Sequence, residues 1–482
     1  MTVETAAQID KNIICKLHYK KIRTPINFPA LNQIFARLDF PSILGANDAV
    51  TNTGRFSYWA AEPKDVFEFR AGEQNPFGKL QQALDKYKLE ADKNTLPEGI
   101  FCGGWVGYFS YELGRYIEQL PQTTIDDIEM PLIRLRFYDK FICYDHIENI
   151  FRLIALELPD ENEKADDKIA NLEQLLYQSQ KISVPAPAAA DIENIDVSQI
   201  RCNIDKDYYL RTVEKIKRYI YDGDVYQVNF SQRFVCDYNG PAIELFNWQN
   251  YHNPSSYAAY IDDGNFHIVS ASPEMFITIT DGIISTKPIK GTRPRLSTMN
   301  LQAEQINEKN LQELLSSEKE QAELNMIIDL ERNDLTKISK YGTIKVIQQR
   351  TIEAYPTVFH AVATVQGQLR RESTFCDILK AMFPGGSITG APKISAMTII
   401  EETEPTSRGV YTGSIGFVGV DGNACLNIAI RTIIIKASKA FVQVGGGIVA
   451  DSKAQAEWDE TITKARALLA GINSVQRVAY SG

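Results

Sequence analysis

Strand-length apolar stretches follow one another through the later part of this 482-residue chain, and the helical patterns are gathered into blocks apart from them. Strands are expected over residues 225–235, 257–261, 267–271 and 276–280, then over 342–346, 361–369, 413–420, 424–435 and 441–444. Helices are expected over 206–221, in a long block over 298–339, and over 375–382, 392–402 and 452–470. The first of these carries Leu210, Val213, Ile216 and Ile220 on one apolar face. Runs of strands with segregated helices read as an α+β fold with antiparallel sheets.

A chain of this length exceeds what one hydrophobic core usually serves, so two domains are the default. The clearest boundary lies between Leu158 and Gln199. It passes from an acidic stretch through a helical pattern to Val184-Pro185-Ala186-Pro187-Ala188-Ala189-Ala190, a composition suited to an exposed linker. The expected division is an N-terminal domain over 1–183, a linker over 184–199 and a second domain over 200–482. The first looks strand-rich, as in Phe56-Ser57-Tyr58-Trp59-Ala60-Ala61, and nothing in it looks catalytic by itself.

No apolar run reaches the roughly 18 residues that a membrane span needs. Residues 1–16 hold no signal-peptide core, so a cytoplasmic protein is expected. Seven scattered cysteines argue for reduced thiols and against a disulfide framework or a thiolate zinc site. A formal net charge of −10 makes nucleic acid an improbable partner. An anionic small molecule remains open, but its site must gather cations against the overall charge.

Several residues are candidates for chemistry. Lys290, in Lys287-Pro288-Ile289-Lys290-Gly291-Thr292-Arg293, is either a salt-bridge partner or a nucleophile. Glu320 and Glu323 stand at i, i+3, and so do Glu457 and Glu460, which puts each pair on one helix face. Two such pairs facing each other would suit a hard divalent cation, with magnesium the best fit; solvated surface is the commoner use of such pairs. Lys464, four residues after Glu460, either reaches a substrate carboxylate or forms an ordinary helical ion pair. Gly385-Gly386-Ser387-Ile388-Thr389-Gly390-Ala391-Pro392-Lys393 precedes a helix and could bring amides to an anion, or could simply connect. Gly445-Gly446-Gly447 follows a strand and precedes Ser452-Lys453-Ala454-Gln455, a capping-box pattern. Arg431 lies in mostly apolar strand and must find either a ligand carboxylate or an internal acid. Glu274, in Ser272-Pro273-Glu274, is a candidate general acid, and His360 either a donor to substrate or a satisfied core histidine.

Taken together, these segments resemble the chorismate-utilising enzymes. Over residues 207–469 the Ser-Pro-Glu, Gly-Thr-Arg, Asp329-Leu330-Glu331-Arg332-Asn333-Asp334, Gly-Ala-Pro-Lys, Ala-Ile-Arg-Thr, triple-glycine and Glu-Thr motifs occur in that family's order. The resemblance implies antiparallel sheets packed as a sandwich with flanking helices, and one site in the C-terminal half. It implies that Glu323 and Glu460 are the principal Mg²⁺ ligands, supported by Glu320 and Glu457, with the metal on the ring carboxylate of chorismate. Lys464 and the backbone around Gly390, Ala391, Gly445, Gly446 and Gly447 would hold that end too. Arg431 and Tyr411 would bind the enolpyruvyl carboxylate, and His360 would donate to a substrate oxygen.

Two positions divide the family's reactions. Gln227 stands where isochorismate and salicylate synthases carry a water-activating lysine. Lys290 stands where anthranilate synthases usually carry alanine, and Pro288-Ile289-Lys290-Gly291-Thr292 resembles the aminodeoxychorismate synthase branch. That branch implies covalent attack by Lys290, acid assistance by Glu274, and ammonia entering at C4 for 4-aminobenzoate and folate synthesis. Anthranilate synthesis, or a non-catalytic chorismate-binding subunit, is the alternative. No cysteine nucleophile elbow is present, so a separate glutamine amidotransferase subunit is expected to supply ammonia, and another enzyme the lyase step. Some relatives bind tryptophan through two segments, which here read Ser42-Ile43-Leu44-Gly45-Ala46-Asn47, lacking the relatives' glutamate, and Asn253-Pro254-Ser255-Ser256-Tyr257.

Overall fold

The computed structural model describes residues 12–47, 54–90, 96–159, 161–187, 192, 195–197, 200–296, 301–355 and 358–481. Residues 1–11, part of the expected linker (188–191, 193–194 and 198–199) and the start of the expected helical block (298–300) lie outside the described residues.

Two large sheets form the frame. The first has 13 strands and runs from Arg201–Cys202 through Gln227–Asp237, Lys439–Ile448, Thr432–Lys436, Phe266–Ser272 and Tyr257–Asp262. It continues into Ser42–Leu44, Phe56–Ala60, Lys140–Asp145, Ile150–Glu157, Ile13–Ile22 and Tyr87–Leu89. The second has 10 strands, from Ile289–Pro294 and Val358–Gln368 to Ile133–Tyr138 and Asp65–Phe69. Strand pairing is antiparallel apart from Ile13–Ile22 with Tyr87–Leu89. This is the mixed α+β architecture with antiparallel sheets and helices.

Segments 1–183 and 200–482 share both sheets. Ser42–Leu44 pairs with Tyr257–Asp262, and Gly104–Phe109 pairs with Ser414–Gly419. Tyr58 and Phe101 pack on Phe417, and Tyr108 packs with Ile268 and Ile415, so the cores between the sheets also draw on both segments. Helices cover the outer faces. Phe28–Phe35, Ala165–Ser179, Ala242–His252 and Ala454–Ser481 lie against the larger sheet, and Glu318–Thr336, Phe375–Met382 and Lys393–Thr403 belong to the other cluster.

The helix Lys206–Tyr221 has the expected bounds, but its buried stripe is Tyr209, Thr212, Val213 and Ile216. Tyr209 replaces Leu210 because its ring packs on Phe230 and Trp458, with centroids at 5.0 and 5.3 Å. No helix among the described residues is long and apolar enough to cross a membrane. All seven cysteines are free thiols.

Candidate active site

The expected single strand over 424–435 is two strands, and the break makes the site. Ala424–Asn427 belongs to the smaller sheet and Thr432–Lys436 to the larger one. The chain crosses between them through Ile428–Ile430 and Arg431, whose φ of 49° is left-handed and uncommon for a non-glycine residue. A second crossing runs beside it, from Phe266–Ser272 in the larger sheet to Met275–Thr280 in the smaller one. The two are tied together: Ala271 N–H donates to Arg431 O at 3.0 Å, Ile428 N–H to Glu274 O at 2.9 Å, and Ser272 Oγ to Ile428 O at 2.5 Å. Glu274 and Arg431 therefore project from adjacent crossovers.

Arg431 is half-buried, and among the described residues no hydrogen bond or ion pair reaches its guanidinium. Burial disfavours its charge, while Tyr355 and Glu274 nearby favour it. Glu274 is 5% exposed, and its Oε1 finds no hydrogen-bond partner among the described residues. Burial pushes its carboxyl up, against the pull of the Ser387 hydroxyl, Lys290, the Ile289 N–H and Arg431.

Lys290 lies inside the strand Ile289–Pro294, where the pairing to Val358–Gln368 slips between Ile289 and Thr292. Such a bulge re-aims a side chain. Lys290 thus stands at a bulge whose second residue, Gly291, has φ 95°. A Cβ on Gly291 would meet Glu320 Oε2 at 3.0 Å, so the bulge sits on the first turns of the helix Glu318–Thr336. Lys290 Nζ donates to Ser387 O at 3.4 Å. Burial lowers its pKa; Glu323, Glu274 and Glu460 oppose this, and Lys464 assists it.

His360 lies across from Thr292, with Nδ1 2.8 Å from Thr292 Oγ1. It is 1% exposed, and its Nε2 finds no partner among the described residues. Burial, reinforced by Arg431, lowers its pKa to about 3, so it is neutral and keeps one ring nitrogen free for another group. Tyr411 is buried, which pushes its phenol up, and Arg408 lies 5.9 Å from its ring centroid.

Glutamates of the two pairs act on shared lysines. Glu323 and Glu460 both feel Lys290, and Lys319 acts on Glu323, Glu457 and Glu460. Burial raises the pKa of Glu323 and of Glu457, whereas Lys464 draws Glu460 down against its burial. Lys319 also pairs with Asp451 at 3.3 Å, joining the two helix starts. Glu320 Oε1 takes Arg293 Nη1 at 2.8 Å, and its buried Oε2 finds no partner among the described residues. Glu457 Oε1 accepts from Ser452 Oγ at 2.7 Å. Among the described residues no group of three or more acidic, histidine or cysteine side chains is gathered at ligating distances. The donors present are hard oxygens, and the orphaned Glu320 Oε2 among them fits a hard cation such as Mg²⁺.

Two local expectations change. Gly445-Gly446-Gly447 is within the strand Lys439–Ile448, paired with Ser231, Phe230 and Asn229, and is not a loop after it. A Cβ on Gly445 or Gly447 would lie 2.7 Å from Asn229 Oδ1 or 2.8 Å from Gln227 Nε2, so the glycines permit close approach. Lys464 Nζ reaches Gly445 O at 2.9 Å and Glu460 at 2.8 Å. The Ser452–Gln455 capping box is absent, because Ser452 Oγ serves Val449 N and Glu457 while Gln455 bonds Asp459. Gly390–Ala391 is a two-residue strand on Gln227 and Val228, and a Cβ on Gly390 would strike the Gln227 carbonyl.

Gln227 is fully buried, and neither of its side-chain polar atoms finds a partner among the described residues. Sequence reasoning missed Ser387, the carbonyl that receives Lys290. It also missed Glu331, a buried acid on the stripe of Leu324, Ile328 and Leu335. That spacing was readable, since an acid in an apolar helical stripe needs a reason. The segments around Leu44, Gly45, Ser256 and Tyr257 line a different cavity of about 220 Å³, together with Tyr58, Phe417 and Asn427.

A family model described as chorismate binding enzyme matches residues 47–470. Aminodeoxychorismate synthase component 1 of Bacillus subtilis (strain 168) is 37% identical over 429 residues, covering 89% of this chain and 88% of that protein. Anthranilate synthase component 1 of Acetivibrio thermocellus is 37% identical over 414 residues, covering 85% and 82%. The crystal structure of anthranilate synthase component I from Streptococcus pneumoniae TIGR4 superposes with a TM-score of 0.73 at 32% identity, covering 87% of this chain and 93% of that one.

Proposed function

The chain belongs to the chorismate-binding enzyme family, and within it we propose that it is the large component of an aminodeoxychorismate synthase, adding ammonia at C4 of chorismate. The observation that carries this reading is the placement of Lys290: an amine at a bulge, its pKa lowered by burial, between Glu274 and the glutamates of two helices. An amine in that position is equipped as a nucleophile.

Arg431, whose guanidinium no hydrogen bond or ion pair reaches among the described residues, takes the enolpyruvyl carboxylate beside Tyr411. Lys464 and the backbone of Gly390, Ala391 and the 445–447 strand line the other end. Held by Glu323 and Glu460, with Glu320 and Glu457 beside them, Mg²⁺ would neutralise the ring carboxylate. Neutral Lys290 attacks C2, both conjugated ring double bonds shift, and the C4–O bond breaks. Glu274, kept protonated by burial, gives its proton to the departing hydroxyl, which leaves as water. Ammonia then bonds to C4, both double bonds return, and the C2–N bond to Lys290 breaks, regenerating the amine. His360 donates to a substrate oxygen through its free ring nitrogen. Ammonia comes from a glutamine amidotransferase subunit, a reading supported by the relatives' being named component 1. The product serves 4-aminobenzoate and folate synthesis, and cytoplasmic residence fits this role.

The second reading, anthranilate synthesis, is favoured by one observation: relatives of both names match at the same 37% identity. Incubation with chorismate, Mg²⁺ and ammonium salt separates the two. The expected product is 4-amino-4-deoxychorismate by mass spectrometry and lyase coupling; anthranilate fluorescence with no added lyase overturns the assignment.

A further inference from the structure

We propose that Glu331 is a positioning residue for the reaction at Lys290: its carboxyl holds the Gly386–Ile388 turn, and that turn sets Lys290 and Glu274 relative to each other. The inference rests on the reading of Lys290 and Glu274 as the reacting pair.

Glu331 lies on the helix Glu318–Thr336, 4% exposed, on the stripe that buries Leu324, Ile328 and Leu335. A carboxyl there is costly unless something uses it. Lys393 acts on it only through space, since its Nζ is held by Asp334 Oδ2 at 2.6 Å and Met382 O at 2.7 Å. What faces the Glu331 carboxyl is the Gly386 N–H. A Cβ on Gly386 would lie 3.3 Å from Glu331 Oε1 and 2.4 Å from Leu330 Cδ2, so the turn rests flat on the helix.

The next residue, Ser387, touches both reacting groups. Its carbonyl accepts Lys290 Nζ, and its hydroxyl is directed at Glu274. The far side of the turn is fixed separately, by Thr389 Oγ1 on Gly385 O at 2.9 Å and Arg408 Nη1 on Ile388 O at 3.1 Å. Loss of the Glu331 contact therefore tips the turn at Ser387 without unravelling it. Arg431 and Lys464 lie on other elements, so substrate binding is left in place. Three charged groups act on Glu331, namely Lys393, Asp334 and Glu274, and burial outweighs Lys393 to bring its pKa to about 7.

The test uses the full chain with chorismate, Mg²⁺ and ammonium salt, following chorismate loss across pH, with melting temperatures for every variant. Glu331→Ala is expected to lower kcat by about 10²-fold, the cost of a misplacement near 1 Å, while KM for chorismate stays close to wild type. Glu331→Gln keeps the shape and an acceptor for Gly386; it is expected to restore most of kcat and to lose the kcat inflection near pH 7 that Glu331 contributes. That second variant decides the matter if the alanine variant does not fold. A folded Glu331→Ala with wild-type kcat, a raised KM alone, or a Glu331→Gln whose pH profile matches wild type each overturns the inference. Wild-type chain that consumes no chorismate overturns the functional reading and this one with it.

Discussion

The ammonium of Lys290 has one hydrogen-bond acceptor among the described residues, the carbonyl of Ser387, at 3.4 Å. A protonated lysine has three donors to satisfy, and one long contact leaves it poorly served in a buried place. Burial already favours the neutral amine, and Lys464 pushes the same way. Lys290→Ala and Lys290→Arg are both expected to form no 4-amino-4-deoxychorismate, because neither offers a neutral amine to C2. Product analysis by mass spectrometry checks this; wild-type product at an unchanged rate from Lys290→Ala removes the covalent role.

Arg431 presents a half-buried guanidinium that no ion pair reaches among the described residues, at a left-handed backbone position. A ligand carboxylate would complete it, and truncating one partner of such a desolvated pair costs about 2–5 kcal/mol. Arg431→Ala is expected to raise KM for chorismate by about 10²-fold, which corresponds to roughly 2.7 kcal/mol. The free protein should not lose stability in proportion, because among the described residues no ion pair or hydrogen bond reaches the guanidinium and Glu274 acts on it only through space. Steady-state kinetics paired with a thermal melt checks both halves; equal losses in stability and in KM would make Arg431 structural.

The glutamates of the two pairs are balanced by Lys290, Lys319 and Lys464, which share Glu323, Glu457 and Glu460 among them. A hard divalent cation would compete for those oxygens. Chelation is expected to stop chorismate turnover and Mg²⁺ to restore it, with Glu323→Gln and Glu460→Gln shifting the Mg²⁺ requirement upward. Calorimetric titration of Mg²⁺ in the presence of chorismate reads this without turnover. Unchanged Mg²⁺ binding in both variants would place the metal elsewhere.

Local periodicity was enough for much of the frame. The helix over 206–221 and the helix over 375–382 have the bounds their sequences imply, since each has a periodic apolar face and a clear stop. The break at Arg431 was not legible, because Leu426 to Ile435 is mostly apolar and nothing local marks which sheet each half joins. That choice is made by tertiary pairing, with Ala424–Asn427 on Met275–Thr280 and Thr432–Lys436 on Phe266–Ser272. At the triple glycine the local sequence marks a strand's end, whereas tertiary pairing carries the strand through it, with close approach to Asn229 and Gln227. The expected boundary near 184–199 follows composition, but sheet membership depends on partners more than a hundred residues away, such as Ile43 with Tyr260.

Two groups in the first half of the chain, His146 and Glu112, give stability an opposed pH dependence. His146, whose Nε2 is 2.8 Å from Ser57 Oγ, has its pKa lowered by burial to about 4. Between that value and its ordinary 6.5 the unfolded chain binds a proton that the folded chain does not, so stability falls as pH drops through this window. Glu112 is 5% exposed and accepts the N–H groups of Arg408 at 2.6 Å and Gly409 at 3.0 Å, yet burial raises its pKa to about 7. Here the folded chain binds the extra proton between 4.5 and about 7, so this contribution is full at low pH and is lost as pH rises. The two glutamine variants should therefore diverge. The melting temperature of His146→Gln relative to wild type should decline as pH is raised from 4 to 7, because wild type recovers its histidine penalty over that range. That of Glu112→Gln relative to wild type should climb from pH 5 to 8, as wild type takes on a buried charge. Parallel curves for both variants across this range would mean that neither group titrates differently in the folded chain.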